Sequence, residues 1–245
     1  MALREGITEL DMATSIAVVI PTLNEERVLS RTLLVVRQLR FDEVVLVDGG
    51  SRDRTVSIAQ GQLPGLSLAP AQVMVAEPGR ARQMNAGAKA TRSGVLLFLH
   101  ADTLLPPETR TEIERVLEHP TYAGGRFDVR FEDDRGWARL VSRLMNWRSR
   151  WSGISTGDQA LFVRRSVFDD LGGFADVPLM EDIDLTRRLK RAGSLAALRA
   201  QVTTSFRRWE RQGALRTIVQ MWLLRFLYWT GVPPHILNRF YVPIR

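Results

Sequence analysis

Short apolar runs alternate, over the first hundred residues, with stretches whose apolar positions recur every three or four residues. The runs have the length of single buried strands and cover residues 16–20, 44–47, 73–76 and 95–99. The stretches between them predict helices over about residues 25–39, 53–60 and 81–90. Asn24 is the expected N-cap of the first helix, because its side chain can accept hydrogen bonds from free backbone N–H groups. This alternation predicts a parallel sheet joined by right-handed crossovers.

The pattern changes after Pro107. It predicts a helix over 109–117, an alternating strand over 124–132 and an amphipathic helix over 136–150. A strand, a short helix and a glycine turn are expected within 159–174, and then a helix that Gly193 ends. We expect one domain over 1–212, with a parallel half at about 14–105 and a mixed half at about 106–212 that completes the same sheet. Residues 213–245 predict a helical extension.

The composition is that of an ordinary globular chain, since 45% of the 245 residues are hydrophobic and 25% are charged. The absence of cysteine excludes disulfides and thiolate metal sites. The net charge of +7 suits phosphate, nucleic acid or an anionic membrane, but no nucleic-acid recognition module stands in the sequence, so no nucleic-acid partner is expected. No signal-peptide core and no run of about 18 uncharged apolar residues is present, which predicts a cytoplasmic protein.

Polar residues follow three of the predicted strands at the point where each strand ends: PTLNE at 21–25, DGGS at 48–51 and HAD at 100–102. Ligands of open α/β sheets bind at the carboxyl ends of the strands. Gly49 and Gly50 let a backbone approach a ligand closely, and the helix that follows offers N–H groups to an anion. Each tip alone is also an ordinary strand-to-helix turn, but three consecutive tips favour a ligand crevice.

Five segments resemble, in order, the successive motifs of family 2 glycosyltransferases, enzymes with the GT-A fold. They are AVVIPTLNEE, EVVLVDGGSRDRT, GRARQMNAGA, LLFLHADT and MEDIDLTRRL, and they cover about residues 16–191. The resemblance implies an α/β fold: a single Rossmann-like, mostly parallel central sheet flanked by helices, with the C-terminal helical extension. It makes the first half nucleotide-binding and the second half acceptor-binding. The longer series that adds TGDQALFVRR and RRWE resembles a bacterial subgroup linked to arsenosugar biosynthesis.

The resemblance implies that a nucleoside diphosphate sugar lies on the first half of the chain. Thr22, Glu25 and Asp48 would contact base and ribose, and Arg80 would lie beside the base or the diphosphate. A carboxylate at Asp48 can accept the imide N–H of uracil, which favours a uridine nucleotide. The implied nucleotide-binding set is Pro21, Thr22, Asn24, Glu25, Asp48, Gly49, Arg80, His100, Ala101 and Arg208.

The same resemblance makes Asp102 the metal ligand, because oxygen ligands suit Mn²⁺ or Mg²⁺ and either cation neutralises a departing diphosphate. His100 departs from the family pattern, which usually has aspartate there. Its imidazole could bond ribose or phosphate, or favour Mn²⁺. It could equally be a partly buried residue bonded to a neighbouring loop. Both interpretations stay open at this point.

Glu181 and Asp182 begin a predicted helix, where the helix dipole alone would stabilise acidic residues. By motif position, Asp182 is the general base that takes the proton of an attacking acceptor hydroxyl, with inversion, and Glu181 supports it. Asp158 and Gln159 fall where relatives place acceptor-side residues. Arg207, Arg208 and Trp209 are similar to a motif that lies over the diphosphate, with Trp209 on the acceptor side.

The sequence therefore predicts an inverting, metal-dependent transferase that moves a sugar from a nucleotide-sugar donor, UDP-linked by the Asp48 argument, to a small-molecule or lipid acceptor. The alternative is a non-catalytic nucleotide-sugar-binding or scaffold protein that keeps the fold. A Rossmann dehydrogenase is excluded, because PTLNEE stands where its glycine-rich turn would be. The aromatic C-terminal stretch, interrupted by Arg225, fits either an interfacial helix at the inner face of the cytoplasmic membrane or a helix packed on the domain or in a homodimer.

Overall fold

A computed structural model describes residues 14–206 and 213–241. Within them, one eight-stranded sheet has the order β3-β2-β1-β4-β7-β6-β8-β5. The strands are β1 (Ile16–Thr22), β2 (Glu43–Asp48), β3 (Gln72–Val75), β4 (Val95–Phe98), β5 (Thr103–Leu104), β6 (Tyr122–Phe131), β7 (Leu161–Arg164) and β8 (Ser194–Thr204).

The sheet joins a group of parallel strands to a group of mixed direction. Strands β3, β2, β1 and β4 run parallel to one another, whereas β7 is antiparallel to both β4 and β6. Strand β8 returns parallel to β6, and the short β5 pairs antiparallel with β8. The predicted α/β class with a mostly parallel central sheet is confirmed, and the division at residue 212 stays a prediction.

Helices lie on both faces of this sheet. They are α1 (Leu29–Leu39), α2 (Thr55–Gln62), α3 (Arg80–Ala90), α4 (Thr109–Leu117), α5 (Gly136–Ser152), α6 (Arg165–Asp170), α7 (Glu181–Ala192), α8 (Ala214–Trp229) and α9 (Pro234–Leu237), with 3₁₀ turns at Gly157–Gln159 and Asn238–Phe240. None of the helices that the structure describes is long and apolar enough to cross a membrane.

The predicted role of Asn24 as a helix cap is wrong. Helix α1 begins at Leu29, and Asn24 has a left-handed backbone with φ of 57°. Its side-chain Oδ1 accepts a hydrogen bond from the N–H of Arg52 at 2.9 Å, and its own N–H donates to Ser51 Oγ at 2.8 Å. Asparagine tolerates this conformation better than most residues. Asn24 therefore ties the tip of β1 to the tip of β2.

The central strands are buried on both faces, as near-continuous apolar runs require. Ile16, Val18 and Ile20 of β1 pack with α1 on one face, whereas Ala17 and Val19 pack with α3 on the other. Gly87 brings α3 unusually close, since a Cβ there would lie 2.4 Å from Val19 Cγ1. This packing fixes the N-terminus of α3, and with it Arg80, beside the strand tips.

One side of helix α5 and one side of helix α8 are exposed to solvent. We call these two sides together the outer apolar face. Its members recur at helical spacing and are Trp137, Leu140, Leu144, Trp147 and Trp151 on α5, and Leu215, Val219, Trp222, Phe226 and Trp229 on α8. The opposite side of α8 is anchored, because Leu224 packs with Leu179, Met180 and Ile183 at the start of α7. The expectation that this helix packs on the domain thus holds for one of its sides.

Candidate active site

A cleft of about 510 Å³ opens where β1 and β4 end. The predicted site residues that line it are Pro21, Thr22, Glu25, Arg80, His100, Ala101, Asp102, Asp158, Glu181 and Asp182. The predicted residues that do not line it are Asn24, Asp48, Gly49 and Gln159. Arg207, Arg208 and Trp209 lie outside the described residues. The strand tips and the start of α7 therefore form one crevice.

Asp48 holds its own turn together. It is 2% exposed, and its Oδ2 accepts hydrogen bonds from the N–H groups of Gly50 at 2.9 Å and Ser51 at 2.7 Å. Its Oδ1 accepts from the hydroxyls of Ser51 and Thr22. A carboxylate offers about four acceptor positions, and all are used here. The interpretation that Asp48 accepts the uracil imide N–H has no support in this geometry and stays a prediction.

Gln83 of α3 is a cleft residue that the sequence reasoning missed. Its buried amide donates to the carbonyl oxygens of Thr22 at 2.8 Å and Val47 at 2.7 Å, which joins the ends of β1 and β2. A Cβ at Gly49 would lie 3.1 Å from the Gln83 amide, so the missing side chain of Gly49 makes room for Gln83. A glutamine within the GRARQMN motif, on the sheet-facing side of the helix, was the available signal.

His100 is packed beneath the Gly157–Gln159 turn. Its Nδ1 lies 3.2 Å from Asp158 Oδ1, while its Nε2 is buried without a hydrogen-bond partner. A Cβ built on Gly157 would come 2.3 Å from that Nε2, so the ring presses on the glycine backbone. Of the two interpretations, this geometry supports the residue bonded to a neighbouring loop. In the part of the chain that the structure describes, no cluster of three or more His, Cys, Asp or Glu could hold a metal.

Asp182 is fixed by two backbone donors. The N–H of Gly157 donates to its Oδ2 at 2.8 Å, and the N–H of Ile183 donates to its Oδ1 at 2.7 Å. Met180, just before α7, has a left-handed backbone with φ of 69°, which is strained for a side chain of this size. This turn carries Glu181 and Asp182 into the cleft.

Glu181 is buried beside Arg80. Its Oε1 lies 3.3 Å from Arg80 Nη1, and its side chain is 5% exposed. Burial raises the pKa of Glu181, an effect that the charge of Arg80 opposes and that of Asp182 increases. Burial alone would lower the pKa of Arg80, but the charge of Glu181 and its neighbours raises it overall. Arg80 is therefore an ion-pair partner here, and its contact with a nucleotide stays a prediction.

Gln159 does not reach the cleft, so its predicted role on the acceptor side is corrected. It is completely buried, and its Oε1 accepts from the N–H of Thr156 at 3.2 Å, closing a capping box around the 3₁₀ turn. Its Nε2 donates to the carbonyl oxygen of Phe127 at 3.4 Å. Asp158, by contrast, lines the cleft and pairs with His100.

Two arginines form a further part of the lining, Arg148 of α5 and Arg225 of α8. Within the described ranges, no hydrogen bond or ion pair joins either guanidinium group to another residue. The buried nitrogens among them are Nε and Nη2 of Arg148 and Nε of Arg225. Burial, with the charge of Arg225, lowers the pKa of Arg148 to about 9, and burial lowers that of Arg225 too. The sequence signal was an arginine that shares the inner face of α5 with Val141 and Met145.

Curated relatives of this chain are glycosyltransferases by name. The undecaprenyl-phosphate 4-deoxy-4-formamido-L-arabinose transferase of Pseudomonas paraeruginosa is 34% identical over 161 residues, which cover 61% of this chain and 46% of that protein. The PGL/p-HBAD biosynthesis glycosyltransferase of Mycobacterium bovis is 31% identical over 176 residues, covering 66% of this chain and 64% of that protein. The chain thus spans about half the length of the first relative.

Solved structures of low identity share the fold. The mannosyltransferase PcManGT from Pyrobaculum calidifontis, in complex with GDP-Man and Mn²⁺, has a TM-score of 0.65 at 22% identity and covers 89% of this chain and 65% of that chain. S. aureus TarS 1-349 in complex with UDP has a TM-score of 0.60 at 19% identity and covers 78% of this chain and 60% of that chain. These likenesses assign the GT-A fold.

The family follows from the sequence itself. The model of glycosyl transferase family 2 matches residues 17–175, which is more than half of the chain and includes the tips of β1, β2 and β4. The chain belongs to glycosyl transferase family 2.

Proposed function

We propose that this protein transfers a sugar, with inversion, from a nucleotide-sugar donor, preferentially UDP-linked, to the hydroxyl of a small-molecule or lipid acceptor. One observation carries the proposal. Asp102, after β4, and Asp182, at the start of α7, line the same cleft although they are far apart in the sequence.

Asp182 would act as the general base. Each of its oxygens accepts one backbone N–H, and a carboxylate oxygen has a second acceptor position. The two backbone donors hold the carboxylate in one orientation, so that it can accept the proton of an acceptor hydroxyl. The hydroxyl oxygen then attacks the anomeric carbon opposite the leaving diphosphate, which inverts the configuration. Glu181 would support this arrangement by holding Arg80 at the cleft wall.

A divalent cation, Mn²⁺ or Mg²⁺, fits Asp102. Such ions are commonly bound through one or two carboxylates together with substrate phosphates rather than by a complete protein cage. Asp102 is a half-buried carboxylate on the cleft and would supply one such ligand. When bound, the cation supplies neutralisation of the charge that grows on the diphosphate.

The donor would lie on the first half of the sheet, where Thr22, Glu25 and Arg80 line the cleft. Solved relatives of the fold carry UDP in one case and GDP-Man with Mn²⁺ in another, so the uridine preference needs a direct test. The link to arsenosugar biosynthesis, the homodimer and the placement at the inner face of the cytoplasmic membrane stay predictions.

The test is a panel of UDP-, GDP- and CMP-sugars, measured by thermal shift and by release of free nucleotide, with and without Mn²⁺. We expect UDP-sugars with Mn²⁺ to give the largest stabilisation, because a ligand that binds the native state raises the unfolding temperature. Asp102→Asn should abolish the Mn²⁺ contribution and leave the metal-free shift unchanged. A larger shift with GDP- or CMP-sugars would overturn the uridine preference. An Mn²⁺ effect that persists in Asp102→Asn would overturn the metal assignment.

A further inference from the structure

We propose that Arg148 and Arg225 form an anion-binding subsite for the acceptor, and that the acceptor is an amphiphile carrying a phosphate group. This inference rests on the proposed function, since it takes the Asp182 side of the cleft as the place where the acceptor binds.

Arg148 and Arg225 have buried guanidinium nitrogens without hydrogen-bond partners. A fully buried ion without a counter-charge costs roughly several kcal/mol of stability, and a half-buried guanidinium with buried, unpaired nitrogens bears part of that cost. Nearby arginines avoid that cost, because Arg126 and Arg150 both pair with Asp128, at 3.0 and 2.7 Å. Arg148 and Arg225 instead line a cleft with guanidinium groups that no hydrogen bond or ion pair joins to any residue in the described ranges. A ligand that brings negative charge would supply the missing partner.

Arg148 and Arg225 share their cleft with Asp182. Asp182 and Asp158 are the carboxylates whose charges act on both arginines, opposing the effect of burial on their pKa values. The arginine pair therefore lies on the side of the cleft that holds the proposed base. A ligand bound there would place its reacting oxygen near Asp182.

The chemistry of two guanidinium groups selects the kind of anion. Guanidinium groups bind phosphate through paired, charge-assisted hydrogen bonds. Two such groups match a phosphate monoester, which carries a charge of about −1.5 to −2 at neutral pH, better than they match a single carboxylate.

Apolar side chains line the same cleft as the two arginines. The same cleft is lined by Met145 of α5 and by Ile218 and Met221 of α8. Leu144 and Trp222 line it too and are 41% and 53% exposed, so that they belong both to the cleft and to the outer apolar face. A hydrocarbon chain attached to the phosphate could therefore leave the cleft along apolar side chains. Amphiphilic phosphates fit both parts of this surface.

Titration calorimetry with octyl phosphate, inorganic phosphate and 1-octanol tests the inference, without a donor and without turnover. The variant is Arg148→Gln with Arg225→Gln. The matched control is Arg143→Gln with Arg216→Gln, which removes exposed arginines from the same two helices. We expect wild type and control to bind octyl phosphate more tightly than either other probe, and the variant to lose about tenfold or more of that affinity. The unfolding temperature of the variant should not fall, because unpaired buried charges are removed.

Several results would overturn the inference. Equal octyl phosphate affinity in variant and control would show that the arginines bind no anion. Equal affinity of wild type for octyl phosphate and inorganic phosphate would remove the apolar part of the acceptor, and equal affinity for octanol would remove the anionic part. A parallel loss of UDP binding in the variant would assign the arginines to the donor. Should the variant unfold, the Arg→Lys pair, which keeps both charges, must retain binding. Failure of sugar transfer would leave these binding results intact and would count against the proposed function instead.

Discussion

The two sides of the cleft differ in whether their buried polar groups have hydrogen-bond partners. Behind the strand tips, the side chains of Asp48, Gln83 and Asn24 each form hydrogen bonds with the backbone of the strand ends or of the turns that follow them. On the side formed by α5 and α8, Arg148 and Arg225 have buried nitrogens without partners, beside an exposed apolar face. A satisfied network rigidifies its surroundings, whereas an unsatisfied one is costly until something completes it. The first side is therefore preformed, and the second is complete only with a ligand.

The sharpest test of the comparison is Asp182→Asn, at the junction of the two sides. An amide cannot take the acceptor proton, so we expect sugar transfer to fall by about 10²- to 10⁴-fold. Nucleotide affinity should change little, because the strand tips are unaltered. Asp184→Asn, two residues along and paired with Arg188 on the same helix, is the control. Equal turnover by wild type and Asp182→Asn would refute the base, whereas nucleotide binding with no turnover by either would favour a non-catalytic binding protein.

Gly157→Ala should have the next largest effect. Its Cβ would meet His100 Nε2 at 2.3 Å, so the turn or the ring must move, and the hydrogen bond from Gly157 to Asp182 would be strained. We expect transfer to fall by roughly ten- to a hundredfold through misplacement of the base, with UDP affinity kept.

The double variant Gly157→Ala with His100→Ala supplies the control for this steric cause. Removing the ring frees the space that the new methyl group needs, so part of the lost activity should return relative to Gly157→Ala alone. No recovery in the double variant would mean that the contact between His100 and Gly157 does not position Asp182.

Asp48→Ala tests the preformed side through stability. It leaves the N–H groups of Gly50 and Ser51 and the Ser51 hydroxyl without their acceptor, and we expect a loss of about 1–3 kcal/mol in the free energy of unfolding. Urea unfolding measures it, with the exposed Asp133→Ala as control. A loss of uridine affinity at unchanged stability would instead restore the direct base contact.

The smallest effect is expected from Glu181→Gln. Burial raises the pKa of Glu181 above its usual range, so the ionised carboxylate costs stability in the native state. That cost is absent below the ordinary pKa and grows as the pH rises through the raised one. The free energy of unfolding of the glutamine variant should therefore fall less between acid and neutral pH than that of wild type, with the exposed Glu108→Gln as reference. Parallel profiles for Glu181→Gln and wild type would contradict the burial argument.

The sequence predicts best what contiguous residues decide. The apolar runs of β1, β2 and β4 mark these strands directly, and the tips of β1 and β4 line one cleft, whereas the tip of β2 does not line it. Strand β8 was missed because SLAALRAQVTT is rich in helix-favouring residues and mostly not buried; its pairing with β6 overrides local propensity.

Side-chain partners were harder to predict because they come from distant parts of the chain. Asp48 bonds Thr22, and Gln83 reaches back to the same strand tip, so a motif position alone could not show that these groups serve the fold. Gln159 was misassigned for the same reason, since it closes a turn against Phe127. Arg148 was missed because an arginine on an amphipathic helix is ordinarily solvated, and only its position in a cleft that α8 also lines makes it unusual.

The outer apolar face gives the protein a built-in optical reporter. Trp137, Trp147, Trp151, Trp222 and Trp229 are each more than half exposed, and the indoles of Trp147 and Trp151 stack with centroids 6.3 Å apart. Indoles this exposed are expected to emit in the native state as solvated indole does, so denaturation should shift their emission little. Whatever covers this surface, by contrast, would move the emission to shorter wavelength without any added label.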